Sequence, residues 1–542
     1  MIRSLDQEKC IGCGTCMKSC PLDVFRVYGS PAVASPCSAA CPIHNNIRDY
    51  HAALQLGSIR EAVELSWKSN PLAAVTGRVC PHFCEGECSR RAVDSAVNIG
   101  GIERFLGDKA LESPATPATA KHVAPVAVVG SGPAGLTCAA QLAEEGFKVT
   151  VFEAQAEPGG MLRYGIPEYR LPAVVLSRLI ARLQSIGVSF RCGQKLGVQF
   201  SLEDLYAQGF KAVFLGIGAG LARRVPTEGA EGANVMYGLN FLRDVRTRTI
   251  RSVSGRAVVV GGGDVAMDVA QSLARLGAES VTVVSLEAEG ELPAFAHNIE
   301  DARNLGVRFM PSSSIFKVLR DGDTITGVDM ERCVSVFDSE GRFAPVFDRN
   351  ETRHMEADMI VFAIGQACDL SGMPEEILTG KGMAADAVTG QTALPWVFAA
   401  GDAVTGPSSV ASAIGGAKRA AKGMLTYLRG GDLHLLTAWD MPVAPALEAP
   451  EKHKLISREE GSARPVATVD GHFAELYGGL RHEQVLGESL RCLTCGSKAA
   501  IAHPDDCMTC FGCETGCPSG AIYVDPIKEE WPKALAPLPK AD

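Results

Sequence analysis

Cysteine occurs in this sequence in one phrase written twice, Cys10-x2-Cys13-x2-Cys16-x3-Cys20-Pro21 near the start and Cys507-x2-Cys510-x2-Cys513-x3-Cys517-Pro518 near the end. Thiolates at this spacing bind [4Fe–4S] clusters, and in this run the fourth cysteine ligates the other cluster of a pair. The two ends are therefore expected to meet. One cluster would sit on Cys10, Cys13, Cys16 and Cys517, and a second on Cys507, Cys510, Cys513 and Cys20. The spacing is compatible with closure within one chain or between two copies in an oligomer. A further group, Cys37, Cys41, Cys80, Cys84 and Cys88, lies among helical patterns such as Ile59–Ser69 and reads as a small α-helical iron–sulfur domain.

Glycine carries the second chemistry. Gly130-x-Gly132-x-x-Gly135 follows the apolar strand Val126–Val129 and opens a helix, with Pro133 and Ala134 at its first turn, and the next strand, Lys148–Phe152, ends at Glu153. Such glycines allow a tight turn and close approach of a pyrophosphate to a helix N-terminus, while the terminal acid accepts from ribose hydroxyls. The unit recurs at 256–285, where Gly261-x-Gly263-x-x-Ala266 has alanine for the third glycine and the second strand is expected to end at Ser285-Leu286-Glu287. A carboxylate there favours the free 2′-hydroxyl of NAD(H) and repels a 2′-phosphate. Arg303 and Arg308 are the cations that could reverse that preference by folding back.

These sites need scaffolds, and 542 residues suffice for three or more domains. The expected order is an N-terminal cluster-binding half (1–36), a helical Fe–S domain (37–111), a linker (112–124) containing Ser113-Pro-Ala-Thr-Pro-Ala-Thr-Ala120, and a first dinucleotide domain in two parts (125–250 and 366–435). The second dinucleotide domain (251–365) is inserted between those parts, and a linker region (436–487) then leads to a cysteine pair and the second terminal half (488–542). The fold class is α/β, with two nested Rossmann-type domains behind a helical domain. Nineteen cysteines in a long chain without a signal peptide indicate metal ligation in a reducing compartment, hence the cytoplasm. No apolar run reaches the roughly 18 residues of a membrane span, and a net charge of −10 argues against nucleic acid as a partner.

With these motifs assembled, the chain resembles the flavoprotein family of the glutamate synthase small subunit, which also includes the N-terminal half of dihydropyrimidine dehydrogenase and the large subunit of NADH-dependent ferredoxin:NADP oxidoreductase. The likeness covers roughly residues 37–430. It rests on Cys41-Pro-Ile-His-Asn-Asn, Asn70-Pro-Leu, Gly77-Arg-Val-Cys80-Pro-His-Phe-Cys84-Glu-Gly-Glu-Cys88, Ile99-Gly-Gly-Ile-Glu-Arg-Phe105, Gly159-Gly-Met-Leu-Arg-Tyr-Gly-Ile-Pro167 and Arg170-Leu-Pro172. The strand Val397-Phe-Ala-Ala-Gly401-Asp402, followed by Gly406–Ile414, resembles a second FAD signature. The terminal halves resemble a bacterial-type 2[4Fe–4S] ferredoxin split in two.

The resemblance implies FAD on Gly130, Gly132, Pro133, Ala134, Gly135, Glu153, Gly160, Met161, Leu162, Arg170, Leu196, Gly401, Asp402, Ser409 and Val410. It implies the nicotinamide nucleotide on Gly261, Gly262, Gly263, Asp264, Val265 and Gly365, beside Glu287. Where NADPH-using relatives commonly carry Arg-Arg, this chain has Leu286-Glu287, a second reason to expect NADH. Relatives open the helical domain with Arg-Cys-x-x-Cys, a phrase that here lies in the tail as Arg491-Cys492-Leu-Thr-Cys495. This permutation would complete one cluster on Cys37, Cys88, Cys492 and Cys495, and leave Cys41, Cys80 and Cys84 to share the other with Glu103. Cys138, Cys192, Cys333 and Cys368 are then ordinary thiols. His44 and His82, beside cluster ligands, are expected to pack or cap, with hydrogen bonding near the clusters as the alternative, and His297 has no assigned role.

Together these parts imply electron transfer between NAD(H), FAD and four [4Fe–4S] clusters, without a dedicated acid–base residue, because the cofactors carry the chemistry. Such a module serves a partner, here expected to be another subunit of a redox complex such as a 2-oxoacid:acceptor oxidoreductase, or ferredoxin. The alternatives are a glutamate synthase small subunit using NAD(P)H and an iron–sulfur sensor or scaffold without turnover, which would not need the inner nucleotide unit. A thiol–disulfide reductase would need a redox cysteine pair facing the flavin, and neither Rossmann unit has one.

Overall fold

The computed structural model describes residues 2–10, 15–20, 22, 24–29, 33–112, 124–444, 455–462, 473–501 and 507–524. Two compact units emerge, one from Met1–Ser113, Thr437–Ser462 and Gly479–Asp542, the other from Pro114–Leu436 and Ala463–Gly478. The expected linker run at 113–120 and Cys13 lie outside the described residues.

The second unit is built on two parallel five-stranded sheets. In the first, Pro125–Val129 lies between Lys148–Glu153 and Ala212–Leu215, with Ser189–Cys192 and Val397–Ala399 at the edges. Its central strands read as apolar runs because helices cover both faces, leaving no solvated side to alternate toward. The second sheet has the order Arg308–Met310, Ser280–Val284, Arg256–Val260, Met359–Phe362, Val235–Tyr237 and lies wholly between Ala212–Leu215 and Val397–Ala399 in sequence. The nesting is therefore real. Where the chain enters and leaves the insertion, Leu221–Ala222 pairs antiparallel with Gln366–Ala367. A three-stranded antiparallel sheet, Ser313–Asp321, Thr324–Phe337 and Phe343–Glu356, was not anticipated from the sequence.

In the first unit, six helices between Pro36 and Glu112 precede a linker-side addition from the tail, the helix His482–Ser489. The helices Ala73–Val79 and Ile99–Glu112 touch backbone to backbone: a Cβ on Gly107 would stand 2.0 Å from the Ala74 nitrogen, and one on Gly77 would stand 2.4 Å from that of Arg104. Within the region 436–487, expected to be a linker, Thr437–Ser462 and the residues from Gly479 onward belong to this unit, while Ala463–Gly478 belongs to the other. Arg458 donates to Glu85 (2.8 Å) and to the Ala96 carbonyl (2.9 Å), and Leu480 and Val485 are buried, so charged and apolar side chains both hold the stretch.

The termini join the same unit. Ile2–Leu5 pairs antiparallel with Ile522–Val524, and Phe25–Gly29 pairs antiparallel with Ser497–Ile501. The short helices Thr15–Ser19 and Gly512–Gly516 pack together. Ile2, Val24, Phe25, Ala499, Ile522 and Val524 form one buried core with Cys10, Cys16, Cys513 and Cys517. The split module closes within one chain.

Candidate electron-transfer sites

Each cysteine group is gathered by backbone that bends around sulfur. Non-glycine residues with left-handed backbone include His44 (φ 49°), His82 (57°), Thr494 (44°), Thr509 (58°) and Phe511 (60°), all in cysteine loops. Successive residues in such conformations turn N–H groups toward an anion. Accordingly, Ala499 N–H points at Cys10 Sγ (3.3 Å), Ala521 N–H at Cys517 Sγ (3.3 Å), His82 N–H at Cys80 Sγ (3.4 Å) and Thr494 N–H at Cys492 Sγ (3.4 Å).

Cys37, Cys88, Cys492 and Cys495 line one cavity, although more than four hundred residues separate the first from the last. The Cys37 thiol is pushed up to about 12, mainly by burial, with the neighbouring Cys88 and Cys495 sulfurs contributing to the rise and a hydrogen bond with Ser35 opposing it. Cys80, likewise pushed up to about 12 by burial, faces Glu103 and Cys41, and Cys84 faces Cys41 and Glu103. In the terminal module Cys513 rises to about 11 by burial and faces Cys507 and Cys20. Thiols this buried stay protonated unless a cation repays the desolvation, which is what iron does. Among the described residues no three His, Cys, Asp or Glu converge to hold a single metal ion. A cubane instead spreads its ligands over four irons, one thiolate to each.

Glu103 is buried, and its carboxyl is pushed up to about 7 by that burial, with hydrogen bonds from Asn70, Thr76 and Asn45 holding it down in part. All three donors meet one oxygen, Oε1, at 2.8 Å (Asn45), 2.8 Å (Asn70) and 3.1 Å (Thr76). None of these three bonds uses Oε2. The two asparagines belong to motifs whose purpose the sequence did not reveal. His44 stacks on Trp439 with centroids 4.0 Å apart, and a Cβ on Gly100 would strike the His82 ring, so both histidines pack.

The first glycine loop shows a division of labour. Gly130 has φ 95° and a Cβ there would lie 2.4 Å from the Gly216 carbonyl, while one on Gly135 would lie 1.9 Å from the Gly130 carbonyl. At Gly132 the space is open, the room a pyrophosphate requires. Glu153 is buried; Oε2 accepts from the Ser131 N–H (3.0 Å) and hydroxyl, and Oε1 from the Gln155 N–H (2.8 Å). An ionised carboxylate has about four lone-pair directions, so capacity for ribose remains. Ser131 Oγ in turn accepts from the Gly159 N–H (2.8 Å), and Gly160 abuts Gly132, which fixes the loop leading to Met161 and Leu162.

Asp402 begins the short helix Asp402–Thr405, and Ser409 caps the helix Val410–Leu428. Burial pushes the Asp402 carboxyl up to about 6, partly offset by Ser408, yet its Oδ1 is buried without a partner. An orphaned acceptor beside an open glycine loop fits the ribityl hydroxyls of FAD. Of the other expected flavin residues, Leu196 has its side chain in the apolar core, and Arg170 pairs with Asp268 through both carboxylate oxygens (2.8 and 2.9 Å).

In the second loop, Gly261 has φ 134° with the Ala363 carbonyl 2.4 Å from a would-be Cβ, and Gly263 is open. Asp264 Oδ1 accepts from Phe295 N–H (3.1 Å) and Asn298 Nδ2 (2.6 Å), fixing the chain that follows the nucleotide strand. That strand ends at Val284, short of the expected Ser285-Leu286-Glu287; Ser285 still donates its N–H to the Met310 carbonyl (3.1 Å), and Leu286 and Glu287 lie beyond the ladder. Glu287 Oε2 lies 2.6 Å from where a Cβ on Gly262 would be, so the carboxylate overhangs the loop. Val265 lies beside Gly238, and Gly365 has φ 113° next to Arg223. Arg303 pairs with Glu289 (3.8 Å) and stacks on Phe309, and is committed away from Glu287. Cys138 and Cys333 are buried and Cys192 and Cys368 half-buried, all four as free thiols.

Residues 124–417 match the family model described as pyridine nucleotide-disulphide oxidoreductase, residues 32–115 match dihydropyrimidine dehydrogenase domain II, 4Fe-4S cluster, and residues 4–26 match a 4Fe-4S binding domain. The chain is 34% identical over 504 residues to the NADP(+)-dependent formate dehydrogenase subunit beta of Moorella thermoacetica, covering 86% of this chain and 71% of that protein. It belongs to the FAD/NAD(P)/[4Fe–4S] oxidoreductases related to the glutamate synthase small subunit. Two further members of this oxidoreductase family, both from Escherichia coli strain K12, are similar over the central region. The NAD-dependent dihydropyrimidine dehydrogenase subunit PreT is 35% identical (73% of this chain, 92% of that one), and the glutamate synthase [NADPH] small chain is 32% identical (72% and 88%). The oxidoreductase is thus an NAD(P)H-dependent iron–sulfur flavoprotein with FAD-, nucleotide- and 4Fe-4S-binding regions in the order the sequence implies. No helix among the described residues is long and apolar enough to cross a membrane.

Proposed function

We propose that this protein is the NAD(H)-linked electron-transfer subunit of a larger redox complex, joining NAD(H) and FAD to four [4Fe–4S] clusters. The ligand sets are Cys10, Cys13, Cys16 and Cys517; Cys507, Cys510, Cys513 and Cys20; Cys37, Cys88, Cys492 and Cys495; and Cys41, Cys80, Cys84 and Glu103. The observation that carries this reading is the pairing of Ile2–Leu5 with Ile522–Val524, since a terminal cluster pair extends the electron path beyond what flavin and nucleotide need. Bound FAD supplies the exchange between a hydride's electron pair and the single electrons that clusters accept.

The chain's own residues bind and orient. Gly132 and Gly263 admit pyrophosphates to helix N-termini, Glu153 and Asp402 accept from the sugar hydroxyls of FAD, and Glu287 selects the free ribose of NAD(H) against a 2′-phosphate. Names among the relatives include both nucleotides, and the overhanging Glu287 favours NADH here. The naming of a relative as a "subunit beta" supports a multi-subunit setting, and buried thiols support a reducing one such as the cytoplasm. We assign the partner to low-potential chemistry, a 2-oxoacid:acceptor oxidoreductase or ferredoxin. A glutamate-forming amidotransferase partner is the second reading, favoured by the likeness to the glutamate synthase small chain.

The test is anaerobic purification with metal and flavin analysis, followed by reduction. One FAD and about sixteen irons per chain are expected, four for each cubane. NADH should bleach the flavin and then reduce a viologen dye, with kcat/KM at least tenfold above that for NADPH. Failure of NADH and NADPH alike to bleach the flavin would identify a sensor or scaffold, and preference for NADPH would move the assignment toward the amidotransferase reading.

A further inference from the structure

The cavity bounded by Cys37, Cys88, Cys492 and Cys495 holds more than thiols. His51, on the helix Ile47–Gln55, lines it and has no exposed surface, and neither of its ring nitrogens has a hydrogen-bond partner. Ser89, next to Cys88, lines the same cavity, and its buried hydroxyl is also unpartnered. Buried polar groups are paired in the large majority of cases, so two orphans on one wall point to a missing acceptor. An imidazole has at least one ring N–H to give in either protonation state. The cationic residues of the wall are spent elsewhere: Arg90 on Asp94, and Arg48 on Asp49 and the Val33 carbonyl. No carboxylate lines the cavity. The acceptor must come from what the thiols hold, and the sulfides and thiolates of a cubane offer only acceptor sites.

We propose that His51 donates its ring N–H to a sulfur of the [4Fe–4S] cluster on Cys37, Cys88, Cys492 and Cys495, with the Ser89 hydroxyl as a second donor, and that this raises the cluster's potential above that of its neighbour on Cys41, Cys80, Cys84 and Glu103. The inference rests on the ligand sets proposed above. Its physics is one of charge. Reduction adds an electron to the cluster, and hydrogen bonds to sulfur stabilise the more negative state. The neighbour bears a carboxylate, a hard ligand that favours the oxidised irons. His51 is thus a positioning residue that orders two adjacent potentials, so that an electron entering the helical domain has a defined downhill step.

The test uses the full chain, reduced without oxygen, with 15N-labelled histidine. Pulsed EPR should detect weak nitrogen coupling to one cluster, absent in His51→Leu. A redox titration followed by EPR should show that cluster becoming at least tenfold harder to reduce in His51→Leu, a shift of about 59 mV for a one-electron couple, with partial recovery in His51→Gln and unchanged iron. Wild-type protein without histidine coupling overturns the inference, as does coupling strong enough for direct iron ligation, and neither measurement requires a variant to fold. Retained iron with an unmoved potential in His51→Leu overturns it as well. The ligand reading fails separately: Cys492→Ala with Cys495→Ala would then leave this cluster's signal and the iron count intact.

Discussion

At the scale of single residues, two carboxyl groups held against their ordinary preference carry the clearest consequences. Glu103 spends one oxygen on three donors, and in the proposed ligand set the other meets iron. A Glu103→Ala substitution should therefore lose about four irons per chain, one cubane's worth, whereas Glu103→Gln, which keeps an oxygen at the same reach, should retain most of them; metal analysis with EPR of the reduced protein decides. Asp402 has no metal nearby and titrates for a different reason, its burial raising the carboxyl to about 6 from an ordinary value of 3.8. Because the folded-state value lies above the unfolded one, stability from the protonated form is complete below about pH 4 and is lost as pH rises through 6. Asp402→Asn should remove that loss. In flavin-stripped protein its stability relative to wild type should grow by about 1 to 2 kcal/mol between pH 4 and pH 7, discounted for partial exposure, as read by urea denaturation at several pH values. The same substitution should weaken FAD retention, since an amide accepts less strongly from ribityl hydroxyls than a carboxylate.

Among the elements, the tail helix His482–Ser489 and the cysteine pair after it are fastened by one side chain. Arg491 is fully buried and donates to Glu488 (2.6 Å), Asp94 (2.8 Å), the Ser95 and Ala96 carbonyls (2.7 and 3.0 Å) and the Ile456 carbonyl (3.0 Å). Removing one partner of a buried ionic network strands the others, so Arg491→Met should cost about 3 to 5 kcal/mol in chemical denaturation. Arg491→Lys should recover little, because an ammonium cannot reproduce the planar fork. The sequence displayed Arg491 only as part of an Arg-Cys-x-x-Cys phrase. Three of its partners, Asp94, Ser95 and Ala96, lie nearly four hundred residues away, a separation that no local pattern encodes. By contrast, Pro125–Val129 and Arg256–Val260 were legible because sheets covered on both faces demand apolar runs. The strand Phe343–Glu356 was not: none of its residues is buried, most are exposed and it pairs on one side only, so neither alternation nor an apolar run marks it. His51 was invisible for a related reason, since its partner in the proposed arrangement is not an amino acid.

For the molecule as a whole, the decisive fact is that one cysteine-bearing module is assembled from both ends of one chain. The sequence foretold the meeting through the fourth cysteine of each run, which has no use at its own end. What it left undecided, closure within a chain or between copies, is a matter of reach, and the antiparallel pairs Ile2↔Val524 and Phe25↔Ile501 settle it in favour of one chain. Interlocking of this kind predicts an unusual response to truncation. Deleting residues 1–31 removes four cysteines, and if each cluster were served by its own end the chain would lose about four irons, leaving about twelve of sixteen. With crossed ligands the deletion takes three thiolates from one cubane and one from the other, and it also strips the core of Ile2, Val24, Phe25, Cys10 and Cys16 that shelters both. Iron should fall to about eight per chain, with the EPR of both terminal clusters lost together. FAD content should stay near one per chain, because the dinucleotide sheets have cores of their own that contain no residue of the head. A count of about twelve with one terminal signal intact would mean that each run keeps its own cluster, and the crossed ligand sets would have to be redrawn.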